Sequence, residues 1–182
     1  MPRPLRVQAP NTTYHVTGHS TDRWRLFVAH RDREHLIEIF SGVVEKCEWT
    51  CLGFCLMDTH YHFLFRAAHA NIAAGMQVLN SRYAQAFNQR HARPGHLFRA
   101  RYNAVVVEHA GHLLWVVRYI ARNPVEAGLC AAPSDWQWSS YPGLVGEGTR
   151  WSFLARDEVL GLFGADEAVA AARLRLLVEG GQ

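Results

Sequence analysis

Four side chains in this sequence combine the residue types and spacings that act on phosphate esters: His60, His62, Tyr119 and Asn123. Residues 57–66 read MDTHYHFLFR, and a strand sends every second side chain to the same face. His60, His62 and Leu64 therefore share one face, while Tyr61, Phe63 and Phe65 turn the other way into a core. Two imidazoles side by side on a rigid strand are set to grip one divalent cation from two directions. Two ligands leave coordination positions open, as a metal that must also hold a substrate oxygen requires. The plainer reading is a pair of surface histidines; the flanking Phe63, Leu64 and Phe65 argue against such exposure. In HLLWVVRYIARN (112–123), Trp115, Tyr119 and Asn123 are spaced by four and fall one helical turn apart. Tyr119 suits a nucleophile beside an amide ligand, with Arg118 and Arg122 supplying charge for phosphate. It equally suits a core tyrosine with a satisfied hydroxyl, and Asn123 equally suits a cap before Pro124.

These groups need a scaffold, and the apolar periodicity supplies one. YHVTGH (14–19), TCLGFCLM (50–57), HYHFLFR (60–66) and LFRARYNAVVVE (97–108) read as strands. Helical periods run from Asp32, a plausible cap, to Cys47, from a cap at Asn71 to near HARPG (91–95), and from 112 to a stop at Pro124. The order β-α-β-β-α-β-α is that of a split β-α-β unit. It predicts an α+β fold: an antiparallel β-sheet with helices packed on it, ferredoxin-like in plan. Glycines at 143, 146 and 148 mark a boundary, giving a main domain of 1–146 and a C-terminal helical tail of 147–182. A tail helix is expected from about Asp166 to Val178, with Val169, Leu174, Leu177 and Val178 on its apolar side. So many apolar positions must bury somewhere. Docking near the candidate site as a restraint on its chemistry, and simple cover for the sheet edge, are both open.

Composition narrows the function classes. With 182 residues, 49% of them apolar and 19% charged, the chain can bury a full core. No apolar stretch is long enough for a bilayer, and MPRPLRVQAP lacks the apolar segment of a signal peptide. The expectation is a cytoplasmic, nucleoid-associated protein with no membrane partner. Cys47, Cys51, Cys55 and Cys130 form no CxxC pair; the C-x3-C-x3-C spacing could suggest metal, but Cys51 and Cys55 sit in a strand-like run where small buried thiols are common. Net charge is only +3, but its distribution is uneven. Residues 59–122 carry eight arginines against one acid, Glu108, whereas residues 123–182 carry four basic groups against eight acids. Arg82, Arg99, Arg101, Arg118 and Arg122, with Arg3 and Arg6 near the N-terminus, are the candidate phosphate contacts; arginine forks well onto phosphate. No GxxxxGK[ST] loop is present, so any strand transfer would have to store its own phosphodiester energy.

HYH after a short turn, then GHLFRARY, RYIARNPVEAGL and WQWSSYPGL, resembles the HUH-type single-tyrosine transposases of bacterial insertion sequences. It is closest to their REP-associated branch, tied to repetitive extragenic palindromes. The resemblance runs from about Arg3 to Gly146, with a fainter echo in the tail. It implies the HUH endonuclease fold, His60 and His62 as the metal pair, Tyr119 as nucleophile and Asn123 as third ligand. It further implies Mg²⁺ or Mn²⁺ as cofactor, and transesterification of single-stranded DNA at REP-like hairpins through a 5′-phosphotyrosine intermediate. The protein would act as a monomer or homodimer. Two positions depart from the family habit. Thr59 replaces the usual asparagine, and Gly18-His19 stands where an Arg-Gly pair is common, which leaves DNA contacts by that loop unsupported. Two other readings remain: a catalytically silent hairpin binder, and a metal-dependent phosphohydrolase using the HxH pair with activated water.

Overall fold

A computed structural model describes residues 8–21, 25–146 and 148–180. Arg3 and Arg6 lie outside the described residues. Four strands, β1 (Thr12–His19), β2 (Trp49–Leu56), β3 (His60–Ala67) and β4 (Asn103–Val106), form one antiparallel sheet in the order β2-β3-β1-β4. Helices α1 (His30–Cys47) and α2 (Ile72–Arg90) cover one face; α3 (Ala110–Glu126) packs on β2 and β3 from the other. The expected α+β architecture is the one observed.

Strand alternation decides what each face carries. Tyr14, Val16, Phe54, Tyr61, Phe63 and Phe65 are at most 1% exposed and meet α1 and α2. Phe63 stacks on Phe40 of α1 at 3.8 Å between ring centroids, and Phe65 stacks on Trp49 at 4.1 Å. Each such pair adds roughly 0.5–1.5 kcal/mol beyond the burial of its surface. Gly18 is required by a close approach, because a Cβ there would meet the Tyr61 ring at 2.3 Å. That ring reaches under β1 so that the Tyr61 hydroxyl can donate to Asn80 Oδ1, 2.8 Å away.

Several boundaries differ from the sequence expectation. Helix α1 begins at His30, and Asp32 caps it from inside the first turn, accepting from the Val28 and Ala29 N–H groups at 2.9 Å. The same fully buried carboxylate holds Arg90 Nη1 at 2.6 Å and His91 Nε2 at 3.0 Å, tying the start of α1 to the end of α2. Those donors hold its carboxyl below the usual carboxylate range against the opposing pull of burial. Asn71 does occupy the N-cap position of α2, but its amide bridges Cys47 O and Trp49 Nε1 instead of capping. Strand β4 covers only four residues of the expected 97–108. Residues before it turn across the end of β1, where Thr21 donates to Leu97 O and Arg99 N to His19 O. Helix α3 continues two residues past Pro124, which sits in the last turn, where a missing N–H removes a single hydrogen bond.

Past residue 146 come α5 (Arg156–Gly161) and α6 (Glu167–Glu179), after the short α4 (Tyr141–Val145). Asp166 caps α6, accepting from Val169 N at 2.9 Å. Leu154, Val159, Leu160, Ala170, Leu174 and Val178 are buried in the same core cluster as the sheet. Ala155 N donates to Cys51 O beside β2, and Arg66 pairs with Glu158. The boundary at 146 is thus one of sequence texture, since the apolar side chains on both sides of it share one core. On α6 the buried row is Ala170, Leu174 and Val178; Val169, expected on it, is exposed.

Candidate active site

On the sheet face turned away from α1 and α2, antiparallel register places His19 beside His60, Thr17 beside His62 and His15 beside Leu64. Four histidines therefore converge from two central strands. The His60 and His62 rings lie 4.9 Å apart, nearly perpendicular; His19 stacks on His60 at 4.8 Å, and His15 on His62 at 5.2 Å. Above them, α3 brings Tyr119, whose ring stands edge-on to His62 at 5.5 Å and to His15 at 5.9 Å. Asn123, one turn further along α3, lies beside the His60 side chain and favours its protonated form. The structure brings together all four residues singled out by spacing.

The electrostatics favour neutral imidazoles. Burial lowers the His60 pKa to about 4, helped by the neighbouring His19 and opposed by the Asn123 side chain. Burial and the nearby His112 lower His15 to about 4. His19 is lowered by burial and by Arg99, and His62 falls well below its ordinary value through burial and its three histidine neighbours. At neutral pH each ring keeps an unshared pair.

One atom of this cluster is unmatched. His62 is 2% exposed, its Nδ1 lies 3.0 Å from His15 Nε2, and its Nε2 is buried with no hydrogen-bond partner. A buried polar atom without a partner is costly and calls for an explanation. With the proton on Nδ1 donated to His15, the lone pair on Nε2 is left to a cation. Among the described residues no three histidine, cysteine, aspartate or glutamate side chains converge as a metal-holding group. Asn123, beside His60, is positioned to add an amide oxygen to the two imidazoles. This donor set suits a divalent ion with open positions.

Sequence reading missed His15 and His19. Their signal was present in YHVTGH, since both alternate onto the face that His60 and His62 use once β1 pairs with β3. The arginines divide into two groups. Arg82, Arg99 and Arg101 are exposed, and the last two line an open cleft of about 790 Å³ between α2 and residues 96–102, with Met76, Asn80, Ser81 and Phe98. Arg118 and Arg122, expected on phosphate, reach the tail: Arg118 Nε donates to Leu177 O and Arg122 Nη1 to Val178 O, both at 3.0 Å. These carbonyls end α6, where a helix favours cations. The thiols of Cys51 and Cys55 are buried and pushed up by burial, Cys51 to about 12, and all four cysteines are free.

Comparison with known proteins bears on the fold and the family. The fold is similar to that of a REP-associated tyrosine transposase solved bound to a REP hairpin, with a TM-score of 0.68 and 17% identity over 84% of this chain and 96% of that one. More distant likenesses are a candidate transposase from Deinococcus radiodurans (TM-score 0.45, 17% identity, 66% and 96% covered) and tRNA(His) guanylyltransferase from Saccharomyces cerevisiae (TM-score 0.49, 10% identity, 96% and 80% covered). No curated protein matches the sequence. No described helix is long and apolar enough to cross a membrane. The family model described as transposase, IS200-like, matches residues 8–123, which is more than half the chain and contains His15, His60, His62, Tyr119 and Asn123. The chain belongs to the IS200-like transposase family.

Proposed function

We propose that this transposase cleaves and rejoins single-stranded DNA at hairpin-forming sequences, with Tyr119 as the nucleophile. The observation that carries the reading is the seating of the Tyr119 ring 5.5 Å from His62, whose buried Nε2 has no partner. His60, His62 and Asn123 would hold Mg²⁺ or Mn²⁺. When bound, such an ion polarises the scissile phosphate and offsets the charge that builds on it. The chain's own residues do the rest. Tyr119 Oη bonds to phosphorus and gives up its proton, the P–O3′ bond breaks, and the departing O3′ takes up a proton. A 5′-phosphotyrosine and a free 3′-hydroxyl remain, so the phosphodiester energy is kept for rejoining without a nucleotide cofactor. His15 holds His62 in one tautomer and orientation.

Arg99 and Arg101 in the cleft, with Arg82 on α2, are the proposed phosphate contacts. Arg118 and Arg122 serve them less directly, through their hold on α6. The likeness to a REP-associated enzyme bound to its hairpin supports a hairpin as the DNA partner. The test is incubation with hairpin oligonucleotides carrying single-stranded flanks in Mn²⁺, followed by a denaturing gel. A protein–DNA adduct lost in Tyr119→Phe is the expected result. Cleavage without an adduct would indicate a hydrolase, and binding without cleavage a silent hairpin protein.

A further inference from the structure

Trp115 is 58% exposed, whereas every other described tryptophan is buried or half-buried. It lies one turn before Tyr119 on α3, and the two rings are parallel, 5.2 Å apart and tilted by only 3°. The phenol ring therefore covers one face of the indole, and the exposure leaves the other face open. His112, one turn earlier, sits 6.4 Å away at 51° and does not close it. A lone exposed apolar side chain needs no explanation. An exposed indole stacked flat against a nucleophile is a different matter, because the substrate must come to that nucleophile.

The phosphorus that Tyr119 Oη attacks carries a nucleotide on each side until its P–O3′ bond breaks. One of those bases must lie close to the α3 surface that bears Trp115. In a duplex that base would be stacked on both faces; in a single strand it has a π-face to offer, which every base shares. The exposed Val105 extends the apolar rim, since it pairs in register with His15, whose ring contacts Tyr119. We propose that Trp115 is a stacking platform for the nucleobase flanking the cleaved phosphodiester. The inference rests on Tyr119 as the nucleophile. It adds a contact that is tolerant of base identity, and it orders the strand at the point of attack while the tyrosine ring remains braced from behind.

The test separates bases from phosphates. In a Tyr119→Phe background, which cannot form the adduct, binding is measured by anisotropy with labelled oligodeoxyadenylate of about 20 nucleotides, longer than the ~4–16-nucleotide site of a single-strand-binding module. Trp115→Ala should weaken binding about tenfold, the loss of one base–aromatic stack, while Trp115→Phe keeps most of it. On an abasic phosphodiester of equal length, parent and Trp115→Ala should bind alike. Undiminished affinity for oligodeoxyadenylate in Trp115→Ala, or equal losses on both polymers, would overturn the platform. Adduct formation by the unmutated chain is scored separately on the gel. Failure of the nucleophile assignment is thus read there, and failure of the platform in the anisotropy.

Discussion

The two faces of the central sheet are built from the same strands and share almost nothing chemically. Toward α1 and α2, every alternate residue is aromatic or aliphatic, sealed from solvent, and its few polar atoms are matched, as in the Tyr61–Asn80 hydrogen bond. One residue away in each case, His15, Thr17, His19, His60 and His62 face α3, and there a buried nitrogen stands unmatched. The sealed face does not touch the chemistry, yet it aims it. A slip of one residue between β1 and β3 would exchange the two sets, and burying five polar residues under α1 and α2 forbids that. The precision of the histidine cluster is inherited from Phe63, Phe65 and Tyr61 behind it.

If that division is real, damage to each face should be read by a different instrument. Tyr119→Phe should remove the covalent adduct entirely while leaving the melting temperature within the range of a surface substitution; an adduct at normal yield defeats the assignment. Phe63→Ala should do the reverse. Loss of a fully buried phenylalanine costs about 3–5 kcal/mol, measurable in denaturant titration, and whatever fraction stays folded should still cleave. His15 sharpens the contrast. His15→Ala should weaken Mn²⁺ binding, read by electron paramagnetic resonance, by about 10–100-fold, and His15→Gln, which keeps an acceptor, should restore most of it. Equal Mn²⁺ affinity in all three proteins would make His15 a bystander.

Acid should attack the chemical face first. His15 and His60 have folded pKa values lowered from 6.5 to about 4, so the unfolded chain takes up protons that the folded chain refuses. Stability from these two groups is fully present above about pH 6.5 and is lost as pH falls toward about 4. Melting temperatures across that window should drop, and the combined His15→Gln, His60→Asn variant should show a shallower drop; identical slopes would contradict the burial argument. The smallest effect belongs to the tail contact. Arg122→Met removes a charged donor from the Val178 carbonyl and should lower stability by about 1 kcal/mol.

Much of this was legible in the sequence because alternation is a strong signal. MDTHYHFLFR shows one strand, its core face and its histidine pair, and the four-residue spacing of Trp115, Tyr119 and Asn123 shows one helical side. What was not legible depended on neighbours distant in the chain. YHVTGH reads as a strand, but its histidines become part of the site only through pairing with residues 60–67, which no local pattern encodes. Arg118 and Arg122 read as phosphate ligands because charge has no address in a sequence; their partners are carbonyls nearly sixty residues later. Asp32 looked like a first cap residue because side-chain chemistry was right and only its position, inside the first turn, was unseen.

Gly18 has a consequence for how such a chain can drift. It stands between Thr17 and His19 and is paired in register with Tyr61, and its missing side chain is what admits the Tyr61 ring on the sealed face. Elsewhere the sheet insulates its two sides. A bulkier residue at 18 would displace the Tyr61 ring on the sealed face, and the backbone shift would reach Thr17 and His19 beside it. Among homologous chains, positions 18 and 61 should covary, a larger residue at the first appearing only with a smaller ring or none at the second.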